Sequence, residues 1–272
     1  MKREIIFKIL RYNPDNNKKP FYQEYKVEIR EGMTVLDALH KIRETDDPTI
    51  SMRFSCRMGV CGSCAMLING KPQLACSTQV LEVSKKMIIL APLPNYDIIK
   101  DLIPDLSVLF EKHLSMKPYI KRDDIKDKED PKEEFYQSPE DLVKYLQFAY
   151  CIKCGICLAA CPTVATDRDY PGPMPLTQAY RYCVDTRDNG YKDRKDVLGD
   201  SHGVFRCHYA GECSNACPKG VDPAKAIQFM KRMLVFDYLK LLKTKKTAQC
   251  LGKPKDAKRM EGIPAPPEFT IK

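Results

Sequence analysis

The stretch CIKCGICLAACP, residues 151–162, has cysteines at positions 151, 154, 157 and 161 and a proline directly after the last of them. A second stretch, CHYAGECSNACP at residues 207–218, repeats this spacing with one exception. Ala210 stands where the second cysteine of the repeat would be. How these seven cysteines combine decides which fold this half of the chain can adopt.

The spacing C-x2-C-x2-C-x3-C-P is typical of the iron–sulfur runs of bacterial ferredoxins, in which the fourth cysteine of one run ligates the cluster of the other. Crossed over in this way, the two stretches predict one [4Fe–4S] cluster with four cysteine ligands and a second cluster with three. The predicted ligands of the first are Cys151, Cys154, Cys157 and Cys217, and those of the second are Cys161, Cys207 and Cys213.

Ala210 offers neither sulfur nor oxygen, so the second cluster lacks a ligand at one corner. A cubane short of one thiolate can lose that iron and persist as [3Fe–4S]. Drift is the alternative explanation, but drift would not leave the other cysteines and both prolines in register. We therefore interpret the gap as functional, and fewer anionic thiolates should make this cluster easier to reduce.

A third cysteine group lies in FSCRMGVCGSCAMLINGKPQLAC, residues 54–76. Its C-x4-C-x2-C triplet with a distant fourth cysteine is the spacing that binds [2Fe–2S] in plant-type ferredoxins. Gly59 and Gly62 supply the permissive backbone that such a tight loop needs. A structural zinc site also uses four thiolates, but usually as two C-x2–4-C knuckles. The predicted [2Fe–2S] ligands are Cys56, Cys61, Cys64 and Cys76.

The apolar pattern divides the chain in two. Before residue 105 it predicts strands over 4–12, 21–29 and 87–93 and a helix over 34–45, a small α+β unit. After residue 105 it predicts helices over 138–150, 175–188 and 222–242. We expect an N-terminal β-grasp, plant-type [2Fe–2S] ferredoxin domain over 1–105, an α-helical bacterial-type ferredoxin domain over 106–250 and an extended proline-rich tail over 251–272.

Charge and composition limit the function classes. The net charge of +9 comes from 45 basic residues interleaved with 36 acidic ones, which argues against a nucleic-acid protein and fits an acidic protein partner or an anionic membrane surface. The N-terminus shows no signal peptide, and a reducing cytoplasmic setting favours metal or redox roles for clustered cysteines. No apolar stretch approaches a membrane span, and no G-x-G-x-x-G indicates a dinucleotide site.

Cys183 has the pattern of a buried small side chain, and Cys250 is assigned to no cluster.

Taken together, the chain resembles the iron–sulfur subunit of the succinate dehydrogenase / fumarate reductase family. The resemblance covers nearly the whole chain and includes SCRMGVCGSCAMLINGKPQLAC, CIKCGICLAACP, AYRYCVDTRD and FRCHYAGECSNACPKGVDPAKAI. It implies a flavoprotein partner that carries FAD and the dicarboxylate site, and an integral membrane anchor that helps to form a quinone site. Electrons would pass between flavin and quinone through [2Fe–2S], [4Fe–4S] and [3Fe–4S], at the cytoplasmic face of the membrane. The sequences of the segments AYRYCVDTRDNGYKDR and KGVDPAKAIQ are more similar to the fumarate reductase side of the family.

The resemblance also implies quinone contacts near the third cluster, from Pro162, Thr163, His208 and Lys231. Each has a simpler alternative. Pro162 could only shape a turn, Thr163 could cap a helix, Lys231 could be one charge of an amphipathic helix, and His208 could be a packed polar residue.

Two other functions fit part of the pattern. The first is an electron-input subunit of a soluble, thiol-dependent fumarate reductase, but such proteins carry further cysteine-rich repeats after the ferredoxin domain, and we expect none here. The second is a non-catalytic protein with structural zinc, but the three-cysteine site argues against it because structural zinc is almost always four-coordinate.

Overall fold

The structure, a computed structural model, describes residues 3–16, 19–122, 134–241 and 250–251. A five-stranded mixed sheet forms the N-terminal part, in the order β2-β1-β5-β3-β4, with β1 antiparallel to β2 and parallel to β5. Its strands are β1 (Arg3–Arg11), β2 (Phe21–Ile29), β3 (Ala65–Ile68), β4 (Lys71–Leu74) and β5 (Met87–Ala91). The three predicted strands are confirmed, and the Asn69-Gly70 turn joins β3 to β4.

One long helix, α1 (Val35–Thr45), packs on this sheet. It begins where predicted because Thr34 and Asp37 form a capping box: the Thr34 hydroxyl accepts from Asp37 N, and the Asp37 carboxylate accepts from Thr34 N. The predicted apolar face, with Leu39 and Ile42, is buried in the sheet core. A short helix, α2 (Val80–Val83), precedes β5.

Past the sheet, the chain forms a small hairpin and then helices. The hairpin strands are β6 (Ile98–Lys100) and β7 (Ile103–Pro104), and β8 (Glu134–Phe135) pairs with β9 (Cys250–Leu251). The helices are α3 (Ser107–Ser115), α4 (Pro139–Val143), α5 (Leu146–Ala149), α6 (Ile156–Ala159), α7 (Pro162–Thr166), α8 (Pro173–Val184), α9 (Tyr191–Gly199), α10 (Glu212–Asn215) and α11 (Pro223–Tyr238). A second buried core joins α3, α6, α8 and α11.

Three predicted helix boundaries were wrong. The helix expected over 138–150 is broken into α4 and α5 at Tyr145, whose ring is buried and whose hydroxyl bonds Gln137 and Arg187. The helix expected over 175–188 starts earlier and stops at Val184, because Asp185 turns away to accept from the Arg187 backbone and side chain. The helix expected to reach residue 242 ends at Tyr238, just before the positive φ of Lys240.

The division of the chain at residue 105 remains a proposal. Leu109 and Met116, which lie just beyond it, pack in the second core and not in the sheet core. The predicted proline-rich tail lies outside the described residues apart from Leu251. Among the described residues, no helix combines the length and apolarity that crossing a bilayer requires.

A buried ionic network fixes the far end of β1. The Arg11 guanidinium donates to Asp101 Oδ1 at 3.0 Å, to Asp47 Oδ2 at 2.5 Å, to Tyr25 Oη at 2.7 Å and to Thr49 Oγ1 at 2.8 Å. Asp101 is only 1% exposed, so Arg11 supplies the positive charge that this carboxylate needs.

We expect Arg11→Met to lower the free energy of unfolding by about 3–5 kcal/mol, because it leaves a buried carboxylate unpaired. The matched control is Lys8→Met on the same strand, where Lys8 and Glu24 form an exposed pair at 3.6 Å. Its loss should stay below about 1 kcal/mol. Urea unfolding followed by circular dichroism measures both, and equal losses would contradict this account of Arg11.

Candidate metal centres

The first cysteine group lies in the loop between α1 and β3, with Cys76 two residues after the end of β4. Backbone N–H groups of this loop point at its own sulfurs. Cys56 Sγ accepts from the N–H groups of Met58, Val60 and Cys61 at 3.2–3.4 Å, and Cys76 Sγ accepts from Gly59 N at 3.3 Å. Such donors stabilise thiolates, the form that binds metal.

The remaining two sulfurs of this group lie in contrasting surroundings. Hydrogen bonds from Ser63 and from the Cys56 backbone lower the pKa of Cys61 to about 6. Burial, together with negative charge on Cys76 and Cys61, raises the pKa of Cys64 to about 12. The structure therefore gathers all four predicted [2Fe–2S] ligands at one place, and their role as ligands remains a prediction.

The second group surrounds a small pocket. All four predicted [4Fe–4S] ligands line it, and Cys217 comes from the later cysteine run. Burial raises the pKa of Cys154 to about 11 and that of Cys157 well above its usual value. The crossed-over grouping inferred from spacing is thus the grouping that the fold brings together, while iron binding itself remains a prediction.

The third group gathers the sulfurs of Cys161, Cys207 and Cys213 in the second core. Burial, together with negative charge on Cys161 and Cys207, raises the pKa of Cys213 to about 12. Tyr209 N donates to Cys207 Sγ at 3.4 Å. Cys161 and Cys213 are thus buried in the second core, and the half-buried Cys207 packs against it.

The backbone conformation repeats between the two cysteine runs, 151–162 and 207–218. Lys153 and Gly155 have positive φ angles of 54° and 82°, and the matching residues Tyr209 and Gly211 have 61° and 80°. A four-residue helix follows each glycine, α6 after the first and α10 after the second. Ala210 therefore lies at the backbone position that Cys154 holds in the first run.

The donor set fits iron–sulfur clusters. The three groups offer only sulfur, buried or half-buried, with backbone N–H groups directed at several of the sulfurs. Clusters of this kind are held by thiolates and tuned by such hydrogen bonds. The three groups together contain eleven cysteines, while Cys183 is buried in the second core, as its pattern predicted.

Close packing joins the first group to the second. A Cβ atom added at Gly62 would lie 2.7 Å from Cys154 Cβ and 3.0 Å from Cys154 Cα. Asn95 Nδ2 donates to the carbonyl oxygens of Leu158 and Ala159 at 2.9 and 3.1 Å, at the end of α6. Tyr96 Oη donates to Gly155 O at 3.0 Å. The sheet domain and the helical part are therefore fixed against each other at the cysteine loops.

A polar network holds the segments that carry the third group. The Asp167 carboxylate, 7% exposed, accepts from His202 Nδ1 and Arg206 Nε, both at 2.9 Å, and from the backbone N–H of Asp169 and Tyr170. This ties the chain after Cys161 to the chain before Cys207. Sequence reasoning missed Asp167, Asn95 and Tyr96, because no spacing rule marks a residue that acts through a tertiary contact.

The predicted quinone contacts lie around the third group with different surroundings. Lys231 Nζ donates to Cys207 O at 2.7 Å. Pro162 is the first residue of α7, and Thr163 is buried beside it. His208 is exposed. The structure does not test whether any of them contacts a quinone, and their assignment remains a prediction.

The chain matches known families and proteins over most of its length. Residues 6–111 match the model of a 2Fe-2S iron-sulfur cluster binding domain, and residues 147–221 match that of a 4Fe-4S dicluster domain. The chain is 42% identical over 242 residues to the fumarate reductase iron-sulfur subunit of Mycobacterium tuberculosis, covering 89% of this chain and 97% of that protein.

Two further matches agree. The chain is 42% identical over 234 residues to the mitochondrial succinate dehydrogenase [ubiquinone] iron-sulfur subunit of Candida glabrata, covering 85% of this chain and 91% of that one. It superposes on a chain of the Mycobacterium smegmatis Sdh1 complex in the apo form with a TM-score of 0.73 and 25% identity, over 88% of this chain and 98% of that chain. These matches confirm the predicted fold class and the predicted order of a 2Fe-2S domain followed by a dicluster domain.

We expect Gly62→Ala to cost more stability than Gly59→Ala. Both glycines have positive φ, 76° and 68°, so each alanine has a left-handed backbone cost of about 1–2 kcal/mol. Only the alanine at 62 also overlaps Cys154, which adds about 1–3 kcal/mol, since an added Cβ at 59 meets nothing closer than 4.0 Å. Urea unfolding of the cluster-loaded protein compares the two, and equal losses would show that the Gly62 contact is not tight.

We expect the cost of Asp167→Asn to fall as pH rises from about 6 to about 8.5. The Asp167 carboxylate raises the pKa of His202, so the pair stabilises the protein below the ordinary histidine pKa of about 6.5 and loses that stabilisation as pH rises through the raised pKa. The Arg206 bond persists and leaves a residual cost. Melting temperatures of wild type and variant across this range measure the difference.

The control for this pH dependence is Asp193→Asn. Asp193 bonds Lys121, whose ammonium stays charged between about pH 6 and about pH 8.5. Its cost should therefore be constant over the range. A constant cost for Asp167→Asn as well would exclude His202 as its charged partner.

Proposed function

This chain belongs to the iron–sulfur subunits of the fumarate reductase / succinate dehydrogenase family, and from that premise we propose that it conducts electrons between the FAD of a flavoprotein and a quinone at a membrane anchor. As a member of this family it is a component of an oxidoreductase complex. The dicarboxylate chemistry then belongs to the flavoprotein. Iron–sulfur clusters, when bound, supply one-electron transfer, and the residues of this chain set where they sit and how readily they accept an electron.

The assignment of cysteines follows the three groups. We propose [2Fe–2S] at the group in the sheet domain, [4Fe–4S] at the pocket that Cys217 completes, and [3Fe–4S] at the three-cysteine group. The observation that carries the proposal is the repeated backbone of the two cysteine runs, because it supports Ala210 as the counterpart of Cys154. A site with the same loop but one thiolate fewer is the site expected to hold three irons.

The order of the groups supports conduction along the chain. Gly62 brings the first group against Cys154 of the second, and negative charge on Cys213 of the third group acts on Cys157 of the second. The second group thus lies between the other two. Close spacing of the three groups favours electron transfer between them, and the packing of this chain sets the distances from one group to the next.

Exposed apolar side chains at the first and third groups support two protein partners. Met58 is 73% exposed and Val60 is 53% exposed, both in the first cysteine loop. Phe205 and Tyr209, which flank Cys207, are also exposed. Apolar side chains at such positions fit protein contacts. We propose that the flavoprotein binds beside the first group and the membrane anchor beside the third, which gives peripheral association with the cytoplasmic face of the membrane.

The proposed direction of catalysis rests on the amino-acid sequence of one segment. The relatives named fumarate reductase and succinate dehydrogenase are equally similar, at 42% identity each. The segment AYRYCVDTRDNGYKDR favours the fumarate reductase side, and we propose fumarate reduction with quinol as the donor. The quinone contacts proposed from the family pattern are Pro162, Thr163, His208 and Lys231, of which Lys231 is supported by its bond to Cys207 O.

The test of this function is electron paramagnetic resonance of the air-oxidised complex. An oxidised [3Fe–4S] cluster has an odd electron count and gives a signal, whereas oxidised [2Fe–2S] and [4Fe–4S] clusters are silent. We expect a signal before any reductant is added. A silent spectrum, or abundant zinc without acid-labile sulfide, would overturn the proposed cofactors.

We expect Ala210→Cys to abolish that signal, because a fourth thiolate allows a fourth iron to stay. The added negative charge should also lower the reduction potential of the third cluster. The control is Ala210→Val, which adds side-chain bulk at the same position but offers no metal ligand, and the signal should persist in it. Loss of the signal in both variants would indicate damage to the loop instead of a gained ligand.

A further inference from the structure

Tyr170 places a buried hydroxyl in the core that contains the third cysteine group. Its side chain is fully buried, in one core cluster with Cys161, Cys207 and Cys213. Within the part of the chain that the structure describes, its hydroxyl makes no hydrogen bond. Buried hydroxyls almost always have a partner, because the bonds they made to water are lost on folding. An unpartnered one leaves a donor that a group bound beside it can use.

The surroundings of the hydroxyl identify that group. Burial raises the pKa of the Tyr170 hydroxyl, and the neighbouring sulfurs of Cys207, Cys161 and Cys213 raise it as well, with Cys207 the one within reach of the hydroxyl. These are the three sulfurs that we propose as ligands of the third cluster. The open donor thus lies near the one site whose ligand set is a cysteine short.

The backbone of Tyr170 is held from two sides, and its ring is fully buried in the second core. Tyr170 N donates to Asp167 Oδ1 at 3.2 Å, and Tyr170 O accepts from Lys112 Nζ at 2.8 Å. Asp167 is itself bound to Arg206, the residue before Cys207. The same network therefore positions the hydroxyl and the Cys207 segment relative to each other.

We propose that the Tyr170 hydroxyl donates a hydrogen bond to the Cys207 sulfur when the third cluster is bound, and that this bond raises the reduction potential of the cluster. The inference rests on the proposed function. A donor draws negative charge from the sulfur, so the added electron is better accommodated, and hydrogen bonds to sulfur are a recognised determinant of cluster potential. Tyr170 acts through Cys207 and is a positioning residue.

The experiment is a redox titration of the intact complex with Tyr170→Phe, followed by electron paramagnetic resonance of the third cluster. We expect the signal to keep its intensity and the midpoint potential to fall by about 59 mV. For one electron this is a tenfold decrease in the reduction equilibrium constant. The control is Tyr191→Phe, which removes another buried hydroxyl whose neighbouring charge is Asp237. Its midpoint should equal that of the wild type.

A second variant keeps the inference testable if phenylalanine prevents assembly. Incorporation of 3,5-difluorotyrosine at position 170 keeps the ring and the hydroxyl but makes it a stronger donor, so the midpoint should rise. An unchanged midpoint in either variant, with the wild-type signal present, would overturn the hydrogen bond alone. Absence of a three-iron signal in the wild type would overturn the proposed cofactor, and this inference with it.

Discussion

Negatively charged sulfur inside a protein needs donors around it, and in this chain the backbone supplies them. Each cysteine loop bends through left-handed residues, among them Gly59, Gly155 and Gly211, and the bends bring successive N–H groups toward the sulfurs. A regular helix or strand would commit those N–H groups to carbonyl oxygens instead. The loops are therefore irregular of necessity, and the sheet and helices serve to hold their ends.

Holding three such loops close together is the second requirement, and a few tight contacts meet it. Gly62 allows the first loop to touch Cys154, and Asn95 and Tyr96 bind the carbonyl oxygens around α6. These contacts lie between the two cores, so neither core could be moved without changing the spacing of the cysteine groups. The distance between redox sites is in this sense a packing property of the whole molecule.

Much of this arrangement could be predicted from the sequence, and the reason is local. Cysteine spacing depends on loop geometry over a few residues, and the capping box that starts at Thr34 spans only four residues. Both can therefore be recognised in the sequence. The break at Tyr145 and the network around Asp167 depend on partners far along the chain, such as Arg187 and His202. Tyr170 is the clearest case, because nothing in its sequence surroundings distinguishes it from an ordinary core aromatic residue.

The pocket that Cys217 shares with the first cysteine run also constrains how the protein is made. The two runs begin 56 residues apart, at Cys151 and Cys207, and each contains a cysteine that lies with the other. The sulfurs of the sheet domain are all synthesised by Cys76, so that domain can mature while the rest of the chain is still emerging. The helical part has no such early stage: its two metal centres become complete only after the later run has been made and folded back on the earlier one. A chain that stops before the later run would therefore leave both groups incomplete, since each takes at least one cysteine from that run.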